Sequence, residues 1–89
     1  MLPPSFNKAV AYALKGGADK YGAWNWRDAG SEYLASTYTG AIRRHLDAWL
    51  DGENDDPESG QSHLAHIAAS VAIVIDSMQA GTFKDDRPI

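Results

Sequence analysis

All three histidines of this chain, His45, His63 and His66, fall in one stretch with six acids, Asp47, Asp51, Glu53, Asp55, Asp56 and Glu58. Imidazole and carboxylate together are the donor set of a divalent cation, and such cations serve proteins above all in phosphate chemistry. His63 and His66 stand three residues apart, so on a helix both point to one side and reach one metal ion or one phosphate. Glu53 and Asp56 form an E-x-x-D pair suited to a hard cation that also binds phosphate oxygens. Two familiar metal sites are excluded. An EF-hand loop beginning at Asp51 requires glycine where Asp56 stands and glutamate where Ser62 stands. A zincin helix requires H-E-x-x-H, which His63-Leu64-Ala65-His66 does not supply.

His45 falls in the middle of an apolar arc made by Leu34, Tyr38, Ala41, Ile42, Leu46 and Trp49. A polar group buried there without a partner costs about 1–3 kcal/mol, so it needs one. Two readings stand side by side. The three histidines converge on a ligand or metal, or they tie helices together through carbonyls and nearby acids such as Asp47.

A second constellation runs Lys20-Tyr21-Gly22-Ala23-Trp24-Asn25-Trp26-Arg27. Aromatics between cations suit a nucleotide: rings stack on the base while Lys20 and Arg27 meet phosphate, with Arg44 as a helper. Asn25 can read a base edge or a sugar hydroxyl. The competing account is an aromatic plug over the open side of a helical hairpin, and at least one of Trp24 and Trp26 is expected to serve as that plug.

These residues need helices to position them. Residues 5–15 read as a helix capped by Ser5 and stopped by Gly16-Gly17, followed by an irregular connection over 16–30. A second helix is expected over 31–50, capped by Ser31. A third starts with Asp56 as cap and Pro57 in its first turn and ends at Ala80 before Gly81. The tail from Thr82 reads as frayed or partner-bound. The expected fold is all-α: one domain over residues 1–89, with a short N-terminal helix and a long antiparallel helical hairpin. Its uncovered apolar surface points to a homo-oligomer, a helical dimer or tetramer.

Eight basic residues against twelve acidic ones, a formal charge of −4, argue against coating duplex nucleic acid. They leave room for a nucleotide pocket, which needs only two or three cations. Without cysteine there is no disulfide framework and no thiolate metal site, which suits a reducing cytoplasm. The apolar run from Leu64 to Ile75 is too short to cross a bilayer and no signal peptide is apparent, so a soluble protein with no membrane partner is expected.

The order G-A-x-K-Y-G-x-x-N-W-R (Gly17–Arg27), then R-H-L-x-A-W-x-x-G-E-x-x-D-x-x-S-G (Arg44–Gly60), then H-L-x-H (His63–His66) resembles a small family common in bacteriophages. That family is named for the N-terminal domain of a dATP/dGTP diphosphohydrolase. The resemblance implies an all-α protein that handles deoxynucleoside triphosphates, akin to MazG-like pyrophosphohydrolases, which are helical oligomers using Mg²⁺ or Mn²⁺. Those enzymes hold metal with E-x-x-E on one helix and E-x-x-D on the next. Here the E-x-x-D pair is Glu53/Asp56 in the turn, and the helix after it offers His63 and His66.

The leading expectation is metal-dependent hydrolysis of a purine deoxynucleoside triphosphate to monophosphate and pyrophosphate in the cytoplasm of a phage-infected host. Glu53, Asp56, His63 and His66 would be catalytic, and together with His45 they would form the metal or phosphate ligand set. Lys20, Arg27 and Arg44 would offset phosphate charge, with Tyr21 and Trp26 against the base and Asn25 reading its edge. One rival is a non-catalytic phage protein that sequesters a nucleotide or nucleotide-like signal, or blocks a host defence protein. Another is a structural interaction module.

Overall fold

The computed structural model describes residues 1–28 and 33–88. Helix α1 spans Pro4–Tyr21, a single 3₁₀ turn Asn25–Arg27, strand β1 Tyr33–Leu34, helix α2 Ala35–Leu50, helix α3 His63–Ala80 and strand β2 Phe83–Lys84. The fold is all-α, as expected. α2 and α3 form an antiparallel hairpin, and α1 packs along α3.

α1 differs from expectation at both ends. Pro3 is its cap residue and Pro4 its first helical residue, where the missing amide hydrogen costs nothing. The Pro3 carbonyl accepts from the Phe6 and Asn7 amides at 3.0 and 3.2 Å, which leaves Ser5 inside the helix. Gly16-Gly17 does not stop the helix; Gly22, at φ 89°, does. Each internal glycine costs about 1 kcal/mol relative to alanine. Against that cost stand the packing of Ala9, Ala13 and Leu14 with Ala65 and Ala69 of α3, and the Lys15–Asp19 ion pair spanning the glycines at 2.9 Å. The N-terminal helix is therefore as long as α3, not short.

The turn between α2 and α3 is ordered by its own polar groups. Asp55 and Ser62 form an antiparallel bridge, and the Asp56 amide donates to the Gln61 carbonyl at 2.8 Å. The Asp56 carboxylate accepts from the Glu58 amide at 3.0 Å, an Asx turn rather than a helix cap. α3 starts later than expected, at His63, where the Ser62 hydroxyl accepts from the Leu64 amide at 3.1 Å.

The tail is not frayed. β2 pairs in parallel with β1, Tyr33 opposite Phe83 and Leu34 opposite Lys84. The Asp86 carboxylate accepts from the Ser36 amide at 2.8 Å and from the Ser36 hydroxyl, so the tail caps α2 where Ser31 was expected to. Ser31 itself lies outside the described residues.

Among the described residues the buried apolar side chains are Trp26 and four alanines, Ala13, Ala35, Ala65 and Ala69. Small residues let the helix backbones approach closely but cover little. Much of α3 stays exposed, and the helix is longer than the apolar run suggested: by length and composition alone it could cross a membrane.

Candidate functional site

A cavity of about 450 Å³ opens between α1, the 3₁₀ turn and the α2–α3 hairpin. The last turn of α1 brings Lys20 and Tyr21 to its wall, and the 3₁₀ turn brings Asn25 and Trp26. α2 contributes Tyr38, the bridged turn Ser59, and α3 His66 and Ser70. Gly16 and Gly17 line it as well, and no heavy atom lies within 4 Å of where their Cβ atoms would stand. The glycine pair thus lies within the helix at the cavity wall instead of ending the helix.

Trp26 is 8 % exposed, and its indole Nε1 donates to Asp76 at 2.6 Å. It is the plug that the sequence required of one tryptophan, while forming part of the cavity wall. Trp24 is exposed and held at φ 59°. Arg27 does not line the cavity. Its guanidinium grips Asp76 through Nε at 2.6 Å and Nη2 at 2.9 Å and lies 4.3 Å over the Trp24 ring. The hydrogen bonds from Arg27 and then Trp26 hold the Asp76 carboxyl down at about 2. Arg44 is exposed on α2 and also lies outside the cavity lining. Of the three cations assigned to phosphate, only Lys20 reaches this site.

The histidines do converge. His63, 4 % exposed, places Nδ1 2.8 Å from His45 Nδ1 and donates from Nε2 to Glu53 at 2.7 Å. His45 stacks on His66 with ring centres 4.6 Å apart and planes at 10°. Burial first, then the neighbouring His66, pushes the His45 pKa below its ordinary value, with Asp56 opposing the shift. His66 Nε2 lies 2.7 Å from the Ser59 hydroxyl and 3.8 Å from the Asp56 carboxylate. Of this group, Ser59 and His66 also border the cavity.

The residues expected to hold a metal are His45, Glu53, Asp56, His63 and His66. A metal ligand needs a free lone pair, and His63 has both ring nitrogens committed. Among the described residues no three His, Asp or Glu side chains gather as a cation cage. In this arrangement the set does not fit a resident metal.

Ser59, Tyr38 and Ser70 were not anticipated as cavity residues, nor Asp76 as an anchor. Ser59 stands in the S-G pair closing the long motif, and Asp76 is the lone acid of an apolar helix. Either signal could have drawn attention to them.

A family described as dATP/dGTP diphosphohydrolase, N-terminal, matches residues 1–87. The chain belongs to that family. A dATP/dGTP diphosphohydrolase of Salmonella phage PMBT28 is 33 % identical over 88 residues, which cover 98 % of this chain and 29 % of the phage protein. The chain therefore spans under a third of that relative's length. No solved structure matches it.

Proposed function

We propose that the chain binds a purine deoxynucleoside triphosphate in the cavity between α1 and the hairpin, and acts in its hydrolysis to monophosphate and pyrophosphate. The observation that carries this reading is the gathering of Lys20, Tyr21, Asn25 and Trp26 with His66 and Ser59 around one cavity. At about 450 Å³ it falls within the roughly 300–1,000 Å³ range of small-molecule sites. Lys20 offsets phosphate charge, Tyr21 is exposed and able to fold over a base, and Trp26 supplies a fixed wall. His66 and Ser59 offer a polar couple at the rim for a phosphate oxygen or a sugar hydroxyl. Mg²⁺ or Mn²⁺ enters this reading as the counter-ion of the triphosphate, part of the substrate rather than a resident of the protein.

A second reading, binding without turnover, is favoured by the way His45, His63 and Glu53 spend their polar atoms on one another. One experiment separates the two. Calorimetric titration of the chain with dATP and dGTP, with and without Mn²⁺, is followed by chromatography of the same mixtures. Saturable binding weakened by Lys20→Ala, with monophosphate and pyrophosphate formed, supports the first reading. Binding with intact triphosphate supports the second. No binding of either nucleotide sinks both.

A further inference from the structure

We propose that Ser59 and His66 are a nucleophile and its general base, paired at the cavity wall to attack a phosphorus electrophile. The pair rests on the function proposed above only for the identity of that electrophile, the α-phosphorus of a deoxynucleoside triphosphate. The Ser59 hydroxyl oxygen lies 2.7 Å from His66 Nε2 and accepts from the Gln61 amide at 3.1 Å. A hydroxyl has one hydrogen to give, and with the amide on a lone pair that hydrogen is directed to Nε2. The reverse polarity would leave it without an acceptor among the described residues. A serine hydroxyl donating to an imidazole nitrogen within hydrogen-bond reach is the arrangement of an activated nucleophile.

Such a base must in turn be oriented by a third group. His45 does this by stacking, with ring centres 4.6 Å apart and planes at 10°. His45 is itself held 2.8 Å from His63, whose other nitrogen meets Glu53. His45, His63 and Glu53 are therefore positioning residues, a mount for the one imidazole of the three that borders the cavity. Asp56 stands 3.8 Å from His66 Nε2, near enough to favour the imidazolium that proton transfer creates. Ser59 is fixed from its own side. The Gly60 amide donates to the Asp56 carbonyl at 2.7 Å, and Gly60 takes φ 74°, so the backbone turns sharply just past the serine. Lys20 and Glu58 line the same cavity, one charge of each sign, so a polyphosphate enters with its divalent counter-ion.

Two displacements complete the reaction. In the first, a bond forms between Ser59 Oγ and the α-phosphorus while the bond from that phosphorus to its bridging oxygen breaks. Pyrophosphate leaves with the electron pair of that bond, and the hydroxyl proton passes to His66 Nε2. In the second, water attacks the α-phosphorus from the side that pyrophosphate vacated and gives up a proton to solvent. The bond to Oγ breaks, and His66 returns its proton to the serine. Nothing is oxidised or reduced.

Diisopropyl fluorophosphate tests the pair without any nucleotide, because the same attack on its phosphorus expels fluoride. The unaltered chain should gain a single diisopropylphosphoryl group, mapped to Ser59 by peptide mass spectrometry. His66→Gln should slow that labelling at least about a hundredfold while circular dichroism keeps its helical signal. Label on a tyrosine, or on no residue, overturns the proposal with no variant needed, and equal rates in the unaltered chain and His66→Gln overturn it as well. Saturating dGTP or dATP with Mn²⁺ should block the labelling, and acid quench of the chain turning over dGTP should trap protein carrying one deoxyguanylyl group. Labelling of Ser59 that neither nucleotide slows would keep the pair and overturn the nucleotide as its substrate. Monophosphate formed by Ser59→Ala at the unaltered rate would overturn Ser59 as the nucleophile.

Discussion

His63→Phe is the sharpest perturbation of the histidine network. The ring is 4 % exposed and makes two hydrogen bonds, to His45 at 2.8 Å and to Glu53 at 2.7 Å. Phenylalanine keeps most of the volume and removes both. A neutral hydrogen bond is worth about 1 kcal/mol net and one to a charged group about 1.5–3 kcal/mol. The Glu53 side chain is half exposed and regains water when its partner goes, which places its share at the lower end. The expected loss is about 2–3 kcal/mol, or a fall in Tm of roughly 8–24 °C for a domain of this size. His63→Ala should cost more, because it also leaves a cavity. Glu53→Gln should cost less, because the amide oxygen can still accept from Nε2. Urea titration followed by circular dichroism gives all three values. A His63→Phe protein within about 0.5 kcal/mol of the parent would refute the claim that this network ties α2 to α3, as would Glu53→Gln matching its cost.

Three further outcomes follow from the same geometry. The His45 pKa is depressed in the fold, so the unfolded chain binds more protons below about 6.5; stability should be full above that pH and decline as pH falls through the depressed pKa, with a shallower slope in His45→Gln by thermal melts between pH 8 and 5. Asp76 is held at about 2 against 3.8 when unpaired, so its contribution is present above pH 3.8 and lost as pH falls toward 2. Asp76→Asn should abolish that acid step and shift Trp26 fluorescence to the red as its wall loosens. Ser62→Ala removes the hydroxyl that caps α3 and should cost about 1 kcal/mol in chemical denaturation.

The positions of the hairpin and of the Lys20–Trp26 group were legible in the sequence because helical periodicity and aromatic-cation clustering are local signals. What escaped it depended on partners far along the chain. Arg27 was free on paper to meet phosphate, yet Asp76, distant in sequence, claims it. Gly16-Gly17 read as a stop because glycine's cost is local, whereas the contacts that outweigh it come from α3. Two-residue strands have no periodicity to read, so the tail looked loose although Asp86 caps α2. Ser59 acquired meaning only once the Asp55–Ser62 bridge folded the turn back toward His66.

That same distinction separates the three histidines. His63 is sealed, and any ligand that took one of its nitrogens would first have to break the hairpin's tie. His45 is joined to it and stacked on His66, so it shares that constraint. His66 differs: it borders the cavity, and its Nε2 partner is a serine hydroxyl on the turn, a group that can rotate to share the nitrogen with an incoming oxygen. For the nucleotide proposed above, recruitment therefore costs least at His66. Substitutions should rank in opposite orders in two assays. His66→Gln should weaken nucleotide affinity several-fold while moving Tm little, and His63→Phe should lower Tm strongly while leaving affinity nearly unchanged at a temperature where the variant stays folded. Calorimetry and thermal melts on the two proteins give the comparison. Equal effects of both substitutions on affinity would mean that the cluster acts as one unit, and would remove the reason for singling out His66 among the three histidines.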